Sequence, residues 1–546
     1  MIWAWYVTIL LILLGTAANA AESQLVGHWK LITDTQDHSA SKLHDTNHSI
    51  TFGETDSRSA ANFDGLSSYV EVANDDPLQL GTGQFSLSMW VNTAEELDDL
   101  LGDLISKYDP VARRGFQLSI QNHSGVTSSQ PNFRHVHFGI DNGQSEPDWT
   151  DHGKLGNAML IFGMAVYQGQ LFCGTCEAGE KESGHVFRYD GSQWTDCGNP
   201  DPCNTVSSLA VYRGKLYVGV SKYRLRGSSL AESENPNLGG KIYRYEGDNQ
   251  WVHCGTLPDI EAINGMVVFR DKLYVSSLYA PAGFFRYEGG TAWTSCGTPD
   301  GKRVESLAVH NGNIFATGYD QGAVYRYDGD RWHHQGLIEG ATQTYGFATH
   351  NGQLYVSEWP HAKVLRWGGG TDWLDAGRLG EEKETMPLLV YNGKMYGGTL
   401  PLAEVYRYDQ PEWTNVGRVD FTPDVRYRRA WTMAVYQGRL FVGTLPSGHV
   451  KSIEFGRNVT YDHALPTGWV HLTAVRAEDE LRLYVNGKKV ATSAKFTAND
   501  YNLSNSVPLK IGSGAQDYYN GKMKDVRLHS RALTNQEITN LAKSQE

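Results

Sequence analysis

The stretch LAVYRGKLYVG, Leu209 to Gly219, decides the architecture: an apolar strand, a two-residue turn ending in glycine, then a second strand alternating apolar and polar residues. It recurs as MAVYQGQLFCG from Met164, MVVFRDKLYVS from Met266, LAVHNGNIFAT from Leu307, FATHNGQLYVS from Phe347, LLVYNGKMYGG from Leu388 and MAVYQGRLFVG from Met433. Each copy reads as a β-hairpin. A third strand of the type VYRYDG and a fourth carrying tryptophan follow the first six copies, as in AVYRYDGDRWHHQG from Ala323.

The tryptophans of these fourth strands, Trp194, Trp251, Trp293, Trp332, Trp373 and Trp413, are 57, 42, 39, 41 and 40 residues apart. That is the period of four-stranded propeller blades, and the one long interval holds the insertion SKYRLRGSSLAESENPNLGG. The last copy has no tryptophan strand of its own. A matching segment, EPDWTDHG with Trp149, stands ahead of the first copy, and a ring closed by pairing both ends of the repeat would use it. The expectation is a seven-bladed β-propeller over residues 146–456, closed by its N-terminal strand. Its strand plan resembles that of kelch-type propellers, and the turns EGGTAW and GGGTDW resemble the Asp-box turn of sialidase blades. In both families such turns are structural, so Trp149 and its repeats are expected to pack between blades.

The flanks, residues 22–145 and 457–546, hold too few strands apiece for a closed sandwich. Their motifs are His28-Trp29, Phe63-Asp64-Gly65 to Tyr69-Val70, FSLSMWV from Phe85, Trp469-Val470-His471-Leu472, Leu483-Tyr484-Val485-Asn486-Gly487 and the segment from Gly521 to Leu541. In that order they resemble the LamG-like jelly roll of the concanavalin A-like lectin superfamily. The fold class is therefore all-β: one jelly-roll sandwich interrupted by a propeller. A capping box, Thr534 with Glu537, predicts one C-terminal helix.

Composition agrees and excludes partners. The chain has 546 residues, 59 of them glycine, 11% aromatic and only 20% charged, a balance that favours strands and tight turns over surface helices. A net charge of −13 without a basic block removes the electrostatic attraction that nucleic-acid binding needs. Residues 1–20 form an apolar run ending in Ala18-Asn19-Ala20, which reads as a signal peptide; the missing basic residue ahead of it leaves an uncleaved anchor as the alternative. Beyond it no run is long enough to span a bilayer, so the mature chain is expected to be secreted, periplasmic or at the cell surface without a membrane span.

In that setting the six cysteines could pair, and Cys197 with Cys203 is the best candidate for a disulfide; the bland reading of Cys197, Cys254 and Cys296 is a small buried residue at one position of the repeat. Four Asn-x-Ser/Thr sequons start at Asn47, Asn122, Asn458 and Asn502.

No nucleophile elbow, P-loop, dinucleotide fingerprint or HExxH is present. Alignment of the blades places the residue two before each hairpin phrase near the channel mouth, with a further residue two positions earlier. Arg303, Glu305, Tyr345, Glu384, Arg429 and Trp431 fall on these positions, as a cup of charges and rings for a sugar or as an ordinary solvated rim. For the jelly roll, the resemblance implies calcium as cofactor, with Asp37 and Asp525 at the matching positions. Ala40 replaces the glycine of that loop and Lys524 the first of the paired acids, and a surface salt bridge is the other reading of the two aspartates.

The functional expectation is a non-enzymatic carbohydrate- or glycoprotein-binding protein whose partner is an extracellular glycan. The alternatives are a polysaccharide hydrolase or lyase working in the propeller channel and a structural envelope protein without a small ligand.

Overall fold

A computed structural model describes residues 24–56, 58–144 and 147–544; the expected signal peptide lies outside them. Two sheets form the jelly roll, and each is assembled from both flanks. In one, Gly468–Arg476 pairs along its whole length with Phe85–Thr93, which also carries Asn520–His529 on its other side. In the other, Arg457–Tyr461 pairs with His135–Asn142 at the end of a seven-stranded sheet. Inward-facing residues such as Leu87, Met89, Phe116, Phe138, Val470 and Leu472 make one core, with Trp29 fully buried in it. Asn486 and Gly487, with φ of 49° and 77°, form the turn between Leu481–Val485 and Lys488–Thr492; both angles lie where a type I′ hairpin needs them. The helix Asn535–Lys543 begins at Thr534, whose side chain and that of Glu537 complete the capping box.

Between these flanks stands a β-propeller. The expectation of seven separate blades meets five four-stranded sheets and one eight-stranded sheet. The eight-stranded sheet contains two four-stranded units, Leu160–Asp196 and Thr205–Thr256, joined by a single bridge between Cys176 and Thr205. The strand Thr150–Lys154, next to Trp149, pairs with His449–Ile453, about 300 residues later in the chain. Each tryptophan of the repeat donates its indole N–H to a backbone carbonyl on or just after the outer strand of a neighbouring unit: Trp194 to His152, Trp251 to Cys197, Trp293 to Cys254, Trp332 to Gly297, Trp373 to Gln335, Trp413 to Ala376 and Trp149 to Val416, at 2.8 to 3.1 Å. Packing between neighbouring units is thus what the tryptophan does.

The jelly roll also enters the propeller. Between its strands Arg114–Gln121 and His135–Asn142, residues 122–132 are all buried. Backbone carbonyls of this segment accept from Val166, Met266 and Phe347 on three inner strands, and Gln130 donates its N–H to Leu209. The Ser306 hydroxyl donates to the Gly125 carbonyl at 2.9 Å, and Asn132 exchanges two hydrogen bonds with Val435. A polar backbone segment can be buried this way because the inner strands supply its partners. It plugs the channel at the jelly-roll end. Two sequon asparagines are closed off: Asn122 of this segment, and Asn458 of the strand Arg457–Tyr461, whose amide donates to the Tyr391 hydroxyl and the Phe455 carbonyl, are each 2% exposed.

The expected disulfide is not formed. All six cysteines are free thiols; the Cys197 thiol points at the Thr195 carbonyl and receives the Tyr245 hydroxyl, while that of Cys203 points at Thr205. Both are buried in one apolar cluster, where the reading as small packing residues applies.

Candidate functional site

At the end of the propeller away from the jelly roll, the channel opens into a cavity of about 900 Å³. Arg303, Glu305, Tyr345, Glu384, Arg429 and Trp431 all line it, and Thr127 of the plug forms part of its floor. Local backbone geometry explains the convergence. In every inner hairpin the pairing register slips where the repeat phrase begins: between Ile161 and Gly163, Val206 and Ser208, Ile263 and Met266, Val304 and Leu307, Thr344 and Phe347, Thr385 and Leu388, and Ala430 and Thr432. Glu305, Tyr345 and Trp431 lie in these bulges. An extra residue on one strand bends it and re-aims a side chain, which here means toward the channel.

The charges are arranged in pairs. Arg429 donates from Nε to Glu384 Oε1 at 2.9 Å and from Nη1 to Ser228 Oγ at 2.6 Å, and both members of the ion pair are buried. Arg303 sits on the Tyr319 ring, 3.9 Å from its centroid, and is bound to Asp320. Glu305 is 4% exposed, and no side chain among the described residues hydrogen-bonds its carboxyl. Burial outweighs the nearby Arg303 and, with the Glu384 charge adding to it, pushes the Glu305 carboxyl up to about 8. At neutral pH Glu305 is thus a protonated acid facing a cavity.

Trp431 is less available than its position implied. It is 5% exposed, held between Phe162, with centroids 4.9 Å apart, and Tyr223. Partly buried rings of Tyr345, Tyr279, Trp359 and Tyr427 also line the cavity, with Tyr319 beneath Arg303.

One wall was missed in the sequence. The insertion after Ser221 supplies Tyr223, Arg224, Arg226 and Glu232 to the lining, and its Ser228 binds Arg429. It is anchored by Asn235, whose amide donates to the carbonyls of Glu182 and Pro202. Its length in an otherwise regular repeat was the available signal.

The jelly-roll aspartates lie on either side of His28 but do not fit a calcium shell. Both Asp37 oxygens are taken, Oδ1 by the backbone N–H groups of His28 and Ser39, Oδ2 by the Ser39 hydroxyl and the Leu43 N–H. Asp525 Oδ1 accepts from the His28 ring at 2.7 Å and from Arg527 Nε at 2.8 Å. Burial would raise the Asp525 carboxyl, but these two donors hold it down at about 2. Calcium wants six to eight oxygens, and Asp37 has no free carboxylate oxygen to give. The pair is a structural clasp around His28.

Residues 430–539 match the family model of the concanavalin A-like lectin/glucanases superfamily. The chain carries a concanavalin A-like LamG domain. The match begins in the last propeller sheet and covers only the later half of the jelly roll, whose earlier strands precede the propeller. Among solved structures, the chain is similar to virginiamycin B lyase from Staphylococcus aureus, with a TM-score of 0.45 and 10% identity over 57% of this chain and 99% of that one. It is also similar to the WD40 β-propeller domain of Doa1, with values of 0.41, 11%, 56% and 96%. A third is an extracellular domain from B. thetaiotaomicron, at 0.42 and 12%, covering 64% of this chain and 48% of that one. A search of curated proteins finds no match. No helix among the described residues is long and apolar enough to cross a membrane.

Proposed function

We propose that this is an extracytoplasmic, non-enzymatic binding protein that takes a segment of glycan, free or on a glycoprotein, into the cavity at the open end of its propeller. In this reading the jelly roll occupies residues 22–145 and 457–546 and the propeller residues 146–456. The eight-stranded sheet counts as two blades, giving seven in a ring closed by Thr150–Lys154, and the cycle of seven tryptophan hydrogen bonds supports that count. One observation carries the function: partly exposed rings of Tyr345, Tyr279, Trp359 and Tyr427 share one blind cavity with hydrogen-bonding charges already held in place by Ser228, Asp320 and their own pairing. Rings bind the apolar faces of sugars, while fixed polar groups select their hydroxyls. A glycan array probed with the whole chain and with Tyr345→Ala tests it: discrete hits lost in the variant are expected, and an array without hits would overturn it.

A second reading, cleavage of a polysaccharide by hydrolysis or elimination, draws on Glu305. A carboxyl kept protonated at neutral pH is what a general acid requires. Product release from a polysaccharide panel, abolished by Glu305→Gln, would establish it in place of binding alone.

A further inference from the structure

We infer that a divalent cation, zinc before the others, is held at the seam between jelly roll and propeller by Asp99, His310 and Asp517. Asp99 and Asp517 belong to the jelly roll. His310 ends the inner propeller strand Val304–His310, at the end remote from the cavity. One ligand atom from each of the three lies within 4.8 Å of the other two, and all three residues are buried. Tetrahedral zinc bound by imidazole nitrogen and carboxylate oxygen at about 2.0–2.2 Å holds its ligand atoms about 3.3–3.6 Å apart, so atoms already within 4.8 Å of one another need to close only a little around an ion.

The hydrogen bonds leave the cluster incomplete. Asp99 Oδ1 accepts from the N–H groups of Leu100 and Asn311, and Asp517 Oδ1 from that of Tyr518. The second oxygen of Asp517 has no hydrogen-bond partner although the residue is 2% exposed. A third carboxyl, Asp103, lies close enough for its charge to act on Asp517, and its Oδ2 is taken by the N–H groups of Gln516 and Asp517. Among the described residues no lysine or arginine pairs with any of the three acids. Buried carboxylates without a cation are costly, and an orphaned oxygen beside an imidazole is the donor set a first-row divalent ion prefers.

The surroundings say what the ion would do. Backbone hydrogen bonds already cross the seam on both sides of the cluster, from Gly312 N to Asp98 O at 2.9 Å and from Asn351 N to Ala515 O at 2.8 Å. An ion there clamps the propeller hairpin to the jelly roll through three protein ligands, with a water left to fill the fourth position.

The test uses the full chain stripped with chelator, then titrated with zinc by calorimetry and mass spectrometry of bound metal, alongside thermal melts. One zinc per chain and a rise in Tm of about 4 °C or more at saturating metal are expected. His310→Gln and Asp517→Asn should each lower affinity at least about tenfold. Cobalt in the wild-type chain should give visible bands of nitrogen and oxygen ligation without thiolate charge transfer, a readout that stands even if a variant fails to fold. The inference is overturned by a wild-type chain that takes up no zinc, by variants that both bind zinc as tightly as the wild type, by thiolate bands that place the metal on cysteine, or by stability that follows pH alone, as a proton shared between Asp99 and Asp517 would give.

Discussion

Trp149 donates its indole N–H to the backbone carbonyl of Val416 at 2.9 Å, across 267 residues of sequence. It is the same bond that Trp373 makes to Gln335 inside the repeat. If the two are equivalent links in one ring, Trp149→Phe and Trp373→Phe should each destabilise by about 1 kcal/mol, the net value of one such hydrogen bond. Urea unfolding midpoints check this; a silent Trp149→Phe beside a costly Trp373→Phe would mean that the ring is not closed through Trp149.

The Arg429–Glu384 pair predicts an asymmetry. Removing one partner, as in Arg429→Met, leaves a buried charge alone and should cost about 3–5 kcal/mol. Replacing both, Arg429→Met with Glu384→Gln, should recover much of that loss. Chemical denaturation of the two single variants and the double decides it.

Glu305 makes stability depend on pH. Its folded value of about 8 stands above the ordinary 4.5, so the unfolded chain releases this proton first. The contribution of Glu305 is fully present below about pH 4.5 and is lost as pH rises through about 8. Glu305→Gln, which cannot ionise, should match the wild type in Tm near pH 4.5 and exceed it at pH 8.5. A wild type that keeps pace with the variant at high pH would show that the carboxyl is not held protonated.

Free thiols give a count. Alkylation of the denatured chain without reductant should modify all six cysteines; modification of four would restore a bridge such as Cys197–Cys203.

How much of this could be read beforehand follows from the range of the interactions. The hairpin phrases were legible because each turn is local: Asn311 and Gly312 both take positive φ, 47° and 77°, and Arg270 with Asp271 does the same without glycine. The six cavity residues were legible because the repeat carries their positions from blade to blade. The slip in register that aims Glu305 and Tyr345 inward has no signature of its own in the sequence. The plug from Asn122 to Asn132 was not legible either, since its partners, such as Val435 for Asn132, lie up to 303 residues away. Asp37 illustrates the opposite error: a family position was matched, but the side chain is saturated by the backbone N–H groups and hydroxyl around it.

The central claim is that the propeller cavity is the ligand site, and calorimetric titration with the strongest glycan from the array tests it most directly. Wild-type chain should bind with one site, and Tyr345→Ala and Trp359→Ala should each weaken binding about tenfold or more, the loss of roughly 1.4 kcal/mol of ring contact. Binding left unchanged by both substitutions would contradict the account and place the ligand elsewhere on the chain.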